Sequence, residues 1–154
     1  MVSAVKAGAW RKRIFVTEAC ADRCIDGFTA DVGNRGVGDP VDPETTVGPL
    51  ATIQGADDLE ELYVDAIDKG ATALVPGGRV DQPGAYFAPA VLTDVTPEMR
   101  VYQEEAFGSL GAIYRVPDSA AAVALANDSI YGLGGAVFGA EEEDLEIAAQ
   151  IDTG

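Results

Sequence analysis

Two thiols are the chain's plainest chemical groups. Cys20 and Cys24 lie four residues apart in ACADRCIDGFTADV, whose apolar positions suit a helix that would set both sulfurs on one face. Such a pair could hold a soft metal or cycle as a dithiol. A closed zinc site needs further nitrogen or sulfur ligands, and the chain has no histidine at all. A redox pair remains as one reading, set against the plainer assignment of both cysteines as buried small hydrophobes.

The elements that must carry these groups alternate. RKRIFVTE, with Ile14, Phe15 and Val16 adjacent, predicts a buried strand, and Thr17 to Val32 predicts a helix ended by Gly33 and Gly36. The run VGDPVDPETTVGPL follows, from Val37 to Leu50. Pro40, Pro43 and Pro49 each fix their own φ and push the preceding residue toward extended backbone, so this run is a long connector of set shape. In ADDLEELYVDAIDKG, Leu59, Leu62, Tyr63, Ala66 and Ile67 recur at helical intervals, closed by Lys69 and Gly70. ATALVPGG reads as a short strand, RVDQPGAYF as a turn-rich excursion, and YFAPAVLTDV as extended, with Pro89 arguing for an edge or irregular position. A strand around Ala112 to Val116 precedes the helix SAAAVALANDS, capped by Asp118 or Ser119. GAVFG is a last strand and EEEDLEIAAQI a last helix, with Leu145, Ile147, Ala148 and Ile151 as its apolar positions. Repeated alternation of this kind implies an α/β layer.

A chain of 154 residues, 47% hydrophobic and without repeats or low-complexity blocks, can bury one core and is read as one soluble domain. Its N-terminal apolar stretch is too brief for a signal peptide or membrane span, and its basic residues follow that stretch; the expected location is the cytoplasm. Acidic residues outnumber basic ones 26 to 10, for a net charge of −16. A surface so negative repels phosphate backbones and anionic lipids, which argues against nucleic-acid and membrane partners. Abundant Asp beside only three lysines, Lys6, Lys12 and Lys69, further suggests adaptation to a high-salt, halophilic cytoplasm, where screening relieves self-repulsion.

Five segments occur in a telling order. They are RKRIFV; VGDPVDPETTVGPL; YFAPAVLTDV, through Pro89, Val91, Leu92, Asp94 and Val95; QEEAFGS, through Glu104, Glu105, Phe107 and Gly108; and ALANDSIYGL, through Ala126, Asn127, Asp128, Tyr131, Gly132 and Leu133. Together they resemble the catalytic domain of the NAD(P)-dependent aldehyde dehydrogenase family over essentially the whole chain, and ordered matches are strong where one would be weak. The resemblance implies an α/β fold with a mostly parallel sheet flanked by helices. It also implies a chemistry in which a cysteine thiolate adds to an aldehyde, hydride passes to the nicotinamide of NAD or NADP, and water hydrolyses the thioester.

Carried over residue by residue, the resemblance places the nucleophile's position at Gly8, which cannot attack a carbonyl, and neither Cys20 nor Cys24 falls in that place. It assigns Glu105 to the nicotinamide-side ribose and Phe107 to packing near the ring, with Ser109 where the family's box closes on proline. Read without the resemblance, Glu105 is a solvated acid and Phe107 a core residue. Residues 1–154 are thus expected to form part of the catalytic domain, with the Rossmann cofactor domain and the general-base glutamate not encoded. Three functions follow: an aldehyde dehydrogenase fragment inactive alone, a non-catalytic module that self-associates or joins an intact homologue, and a dithiol redox protein.

The charge reading has its own test: raising sodium chloride from about 0.1 M to molar levels should raise the thermal unfolding midpoint well beyond any small general salt effect. A midpoint that does not move with salt would count against halophilic adaptation.

Overall fold

The computed structural model describes residues 3–8, 11–132, 134–139 and 141–152. Leu133, which closes ALANDSIYGL, lies outside them. The strand expected at Ile14–Val16 is β2, Arg11–Thr17, and it pairs antiparallel with β1, Ser3–Gly8, a strand that sequence analysis did not mark. The following helix, α1, runs over Ala21–Gly33, later than expected, because β2 continues to Thr17 and a turn closed by Cys20 N–H on the Thr17 carbonyl intervenes. Cys20 therefore stands at the N-cap and Cys24 in the first turn.

Helix α2, Ile53–Asp68, forms where its periodicity predicts, entered through Thr52, whose hydroxyl accepts from Gly55 N–H at 3.0 Å. It exits through Lys69 and then Gly70, whose φ of +101° suits glycine. Ala56, Leu59, Leu62 and Ala66 form its buried face. Next come β3 (Thr72–Val75), β4 (Gly78–Arg79), β5 (Phe87–Ala88) and β6 (Ala90–Thr93). Pro89 sits between β5 and β6, outside both, so the irregularity it imposes is confined to one residue while β6 itself lies inside the sheet. A one-turn helix, α3 (Arg100–Gln103), precedes β7 (Leu110–Val116). Helix α4 (Ser119–Asn127) starts on Asp118, which accepts from Ala121 N–H at 2.8 Å; β8 (Gly135–Phe138) and α5 (Glu141–Ala148) follow.

Six strands form one sheet in the order β3-β6-β7-β2-β1-β8. Its centre, β6-β7-β2, is parallel, and β3, β1 and β8 add antiparallel margins. β7 is buried at every position but Arg115, as expected of a strand covered on both faces. Phe15, Leu92, Leu110, Tyr114 and Val116 meet α2 and α4 on one face; Val16, Val91 and Ile113 meet Ala21, Ile25 and Phe28 of α1 on the other. Each such fully buried side chain contributes about 1.5–3 kcal/mol. In α5, Ile147 and Ile151 are buried while Leu145, expected to share their face, is exposed.

The proline-rich connector has a set shape. Val37 bridges Val47, the Gly36 carbonyl accepts from both Thr46 and Val47 at 2.9 Å, and Asp39 and Asp42 each cap a local turn, accepting from Val41 and Glu44 at 2.9 Å. Leu50 N–H then bonds the Ala85 carbonyl at 2.8 Å, pinning the connector's end beside β5.

Two glycines should answer substitution in opposite ways. A Cβ on Gly77 would overlap the Ala88 carbonyl and stand 2.7 Å from the Pro89 carbonyl and Ala90 Cβ, so Gly77→Ala should destabilise by about 1–3 kcal/mol in denaturant unfolding. Gly27 lies inside α1 with nothing within 4 Å of a new Cβ, and Gly27→Ala should stabilise by roughly 0.5–1 kcal/mol.

Candidate functional site

The parallel strands deliver their N-terminal ends to one rim of the sheet. There Lys12 of β2 is in register with Gly111 of β7, which is in register with Val91 of β6, and Gly8 at the end of β1 lies opposite Arg11. The position matched to a nucleophile thus stands on the same rim as the start of β6 and β7.

A cleft of about 600 Å³ opens at this rim. Phe28 and Val32 of α1, Pro49 and Leu50 of the connector, Val91 and Phe107 give it apolar walls, with Thr52 and Gly55 at the start of α2 and the ion pair of Arg35 with Asp31 adding polar ground. Gly108 belongs in the wall for a steric reason: a Cβ there would overlap Leu59 Cδ2 and press on Leu50.

The two acids of QEEAFGS part company. Glu104 is braced by Arg100, which donates through Nε at 2.7 Å and Nη2 at 2.9 Å. That bond holds the Glu104 carboxyl below the usual carboxylate range. Arg100 also pairs with Glu61 of α2, and its amide bonds Asp65, a carboxyl likewise lowered, first by its bond to Lys69 and then by the Arg100 amide. α3 is thereby strapped to α2. Glu105, one residue on, is half-buried and makes no side-chain hydrogen bond or ion pair among the described residues. Phe107 is 61% exposed, at the cleft, and so is not the core residue its hydrophobicity alone suggests. Ser109, in the place of proline, is tied by its carbonyl to Ala90 N–H at 2.8 Å, continuing the pairing of β6 with β7.

The thiols take no part in this rim. Cys20 is buried with its Sγ 3.5 Å from the Thr17 carbonyl, Cys24 packs beneath the sheet beside Ile25 and Phe28, and no cluster of metal ligands occurs among the described residues. No helix among them is long and apolar enough to cross a membrane.

Sequence reasoning passed over a buried polar group next to the site. Arg13, only 3% exposed, lies among Phe15, Tyr102 and Tyr114 and donates to the Asp128 carbonyl. Strand alternation puts Arg13 on the same face as Phe15, two residues on, and that face is the covered one here.

An α/β layer with a parallel centre and flanking helices, carrying an acid-acid-x-Phe-Gly turn at an apolar cleft, is the fold the motifs implied. The sequence profile of the aldehyde dehydrogenase family matches residues 9–154, and the chain belongs to that family. It is 47% identical over 144 residues to a succinate-semialdehyde dehydrogenase (NADP+) of Deinococcus radiodurans, covering 93% of this chain and 30% of the relative. To an aldehyde dehydrogenase of Paenarthrobacter nicotinovorans it is 40% identical, over 93% of this chain and 31% of that protein. The crystal structure of a succinic semialdehyde dehydrogenase from Streptococcus pyogenes with NADP+ superposes with a TM-score of 0.86 at 36% identity, over 92% of this chain and 31% of the other. A betaine aldehyde dehydrogenase from Staphylococcus aureus with NAD+ gives 0.83 at 32%, over 92% and 29%. The chain thus spans a little under a third of the length of these relatives.

The strap from α3 to α2 should show in the pH dependence of stability. Asp65 and Glu104 are held below their unfolded values, so the unfolded chain binds more protons in acid. Their stabilisation is complete above about pH 5 and is lost as pH falls through and below about 4. The thermal midpoint of Asp65→Asn should fall less steeply between those values than that of the parent.

Proposed function

We propose that the chain is part of the catalytic domain of an NAD(P)-dependent aldehyde dehydrogenase, and that it presents one side of the cofactor site without performing oxidation by itself. The carrying observation is the exposed Phe107 ring at an apolar cleft, on the same sheet rim as Gly8. An exposed aromatic face beside a cleft of this size suits the nicotinamide ring, and Glu105, with no partner among the described residues, is free to accept hydrogen bonds from a ribose hydroxyl. The residues present fit only that end of a dinucleotide. Among the described residues lining the cleft, the cation is Arg35, which is already paired with Asp31 and so is not a free anchor for the pyrophosphate. One or two ribose hydrogen bonds are worth roughly 0.5–3 kcal/mol, well short of micromolar affinity.

When bound, the cofactor supplies the hydride acceptor. What this chain contributes is a surface that orients the ring and ribose, and at Gly8 it offers no thiolate to add to a carbonyl. The 154-residue chain, given NADP+ and succinic semialdehyde, the substrate in the names of its relatives, should produce no NADPH above a blank. Measurable turnover would overturn the Gly8 reading. In isotope-edited NMR, millimolar nicotinamide mononucleotide should shift the signals of Glu105 and Phe107, and Phe107→Ala should abolish those shifts; no shift in the parent sinks the cofactor assignment.

A second reading is favoured by the apolar side chains left in solvent: Ile130, Phe107, Phe138 of β8, the last strand of the sheet among the described residues, and Leu145 of α5. We propose as its form a non-catalytic module that associates with a second copy or with an intact homologue. Native mass spectrometry of a mixture with a full-length homologue should then show mixed assemblies, and its absence at micromolar concentration would remove this reading.

A further inference from the structure

We infer that Arg13 is the positioning residue of the Glu104–Gly108 turn: from β2 it locks both the approach to that turn and the Asp128 corner in place, and so sets where Phe107 stands relative to the rim carrying Gly8. The inference rests on the proposed cofactor role of the turn for its functional meaning, but not for its geometry.

An arginine remains charged at any physiological pH, and burying it without compensation is costly. Arg13 has part of that compensation from two sources. Its guanidinium carbon stands 4.9 Å from the Tyr102 ring centroid, 5.2 Å from Phe15 and 5.4 Å from Tyr114, within reach of attraction to all three ring faces. Nη1 donates to the Asp128 carbonyl at 3.0 Å, while Nε and Nη2 have no acceptor among the described residues. The rings are mutually fixed: Phe15 stacks on Tyr114 at 5.3 Å, and Tyr102 meets Tyr114 edge-on at 6.2 Å. The Tyr102 hydroxyl in turn donates to Asp128 Oδ2 at 2.5 Å.

Asp128 is thus held twice, by Arg13 on its carbonyl and by Tyr102 on its carboxylate. The consequence lies in the chain positions. Tyr102 belongs to α3, two residues before Glu104. Asp128 is the C-cap of α4 and opens the turn to Tyr131. Arg13 follows the β1–β2 junction, where Gly8 faces Arg11. Three segments distant in sequence meet at one cation, and an aromatic cage around a charge can close in few ways, because the cation must lie over ring faces while its donors reach oxygen. Aliphatic packing at the same place would hold the segments together without setting their rotation.

Hydrogen exchange in the 154-residue chain tests this without cofactor or turnover, so its failure and the failure of the cofactor reading are distinguishable. Tyr102→Phe removes only the hydroxyl and keeps the ring. It should speed exchange of amides 104–110 and 128–132 about tenfold, the factor carried by one charge-assisted hydrogen bond, while amides of α2 around Leu59 to Ala66 keep their rates. Arg13→Met should do the same to a larger extent, and Arg13→Lys, which retains a cation and a donor, should recover part of the protection. Equal acceleration throughout the chain would show Arg13 to serve stability alone, and unchanged exchange at 104–110 in Tyr102→Phe would also overturn the inference. Should Arg13→Met fail to fold, the Tyr102→Phe and Arg13→Lys variants decide.

Discussion

Two-sided burial of the central parallel strands is the constraint on which everything else in this chain depends. β7 and β2 are sandwiched between α1 on one face and α2 with α4 on the other, which is why Phe15 and Val16, adjacent in sequence, can both be buried. Because parallel neighbours must be joined by crossovers, the same constraint sends the chain across the sheet between strands and returns every parallel strand start to one rim. That rim is where the cleft, the Glu104–Gly108 turn and the Gly8 position collect. The site follows from the topology: loops at one end of a parallel sheet are neighbours in space however far apart they are in sequence.

Charge plays a secondary part in holding the fold. The ion pairs of Arg35, Lys69, Arg79, Arg100 and Arg115 are all at the surface, where water and salt screen them and each adds little to stability. Their value is local. Arg100 links α3 to α2 just before the turn that lines the cleft, while Arg115 links β7 to Glu18 and Asp22 at the start of α1. With 26 acids facing 10 basic residues, the acids cannot be matched one for one. The excess is a property of the surface and of the solvent around it.

Arg13 is the exception, because there charge enters the core. Its neighbours are aromatic faces and the oxygen of a chain corner, so the interaction is directional where aliphatic packing is not. Membership in the aldehyde dehydrogenase family gives the framework, and the proposed departures from its pattern are at Gly8 and Ser109. On that proposal Gly8 stands where a reacting group would be. Ser109 keeps its place through its carbonyl bond to Ala90, an interaction that does not depend on which side chain is there.

Much of the fold was legible in the residues. Periodicity marked α2, the cap at Asp118 or Ser119 opened α4, the apolar run at Ile14 announced a buried strand, and a further strand was legible around Ala112 to Val116. β1 escaped notice, the start of α1 was placed too early, and Leu145 was assigned to a buried face it does not share, since local pattern cannot say where a strand yields to a turn or which helix face meets a neighbour. By itself the sequence determined the family, through ordered motifs. Only the tertiary structure decided that Phe107 looks into a cleft and that Arg13, Tyr102 and Asp128 meet. The physical reason is that motifs and the i,i+4 pair of Arg100 with Glu104 follow from local chemistry, whereas the cleft at Phe107 and the meeting of Arg13, Tyr102 and Asp128 depend on which distant segments the crossovers bring together.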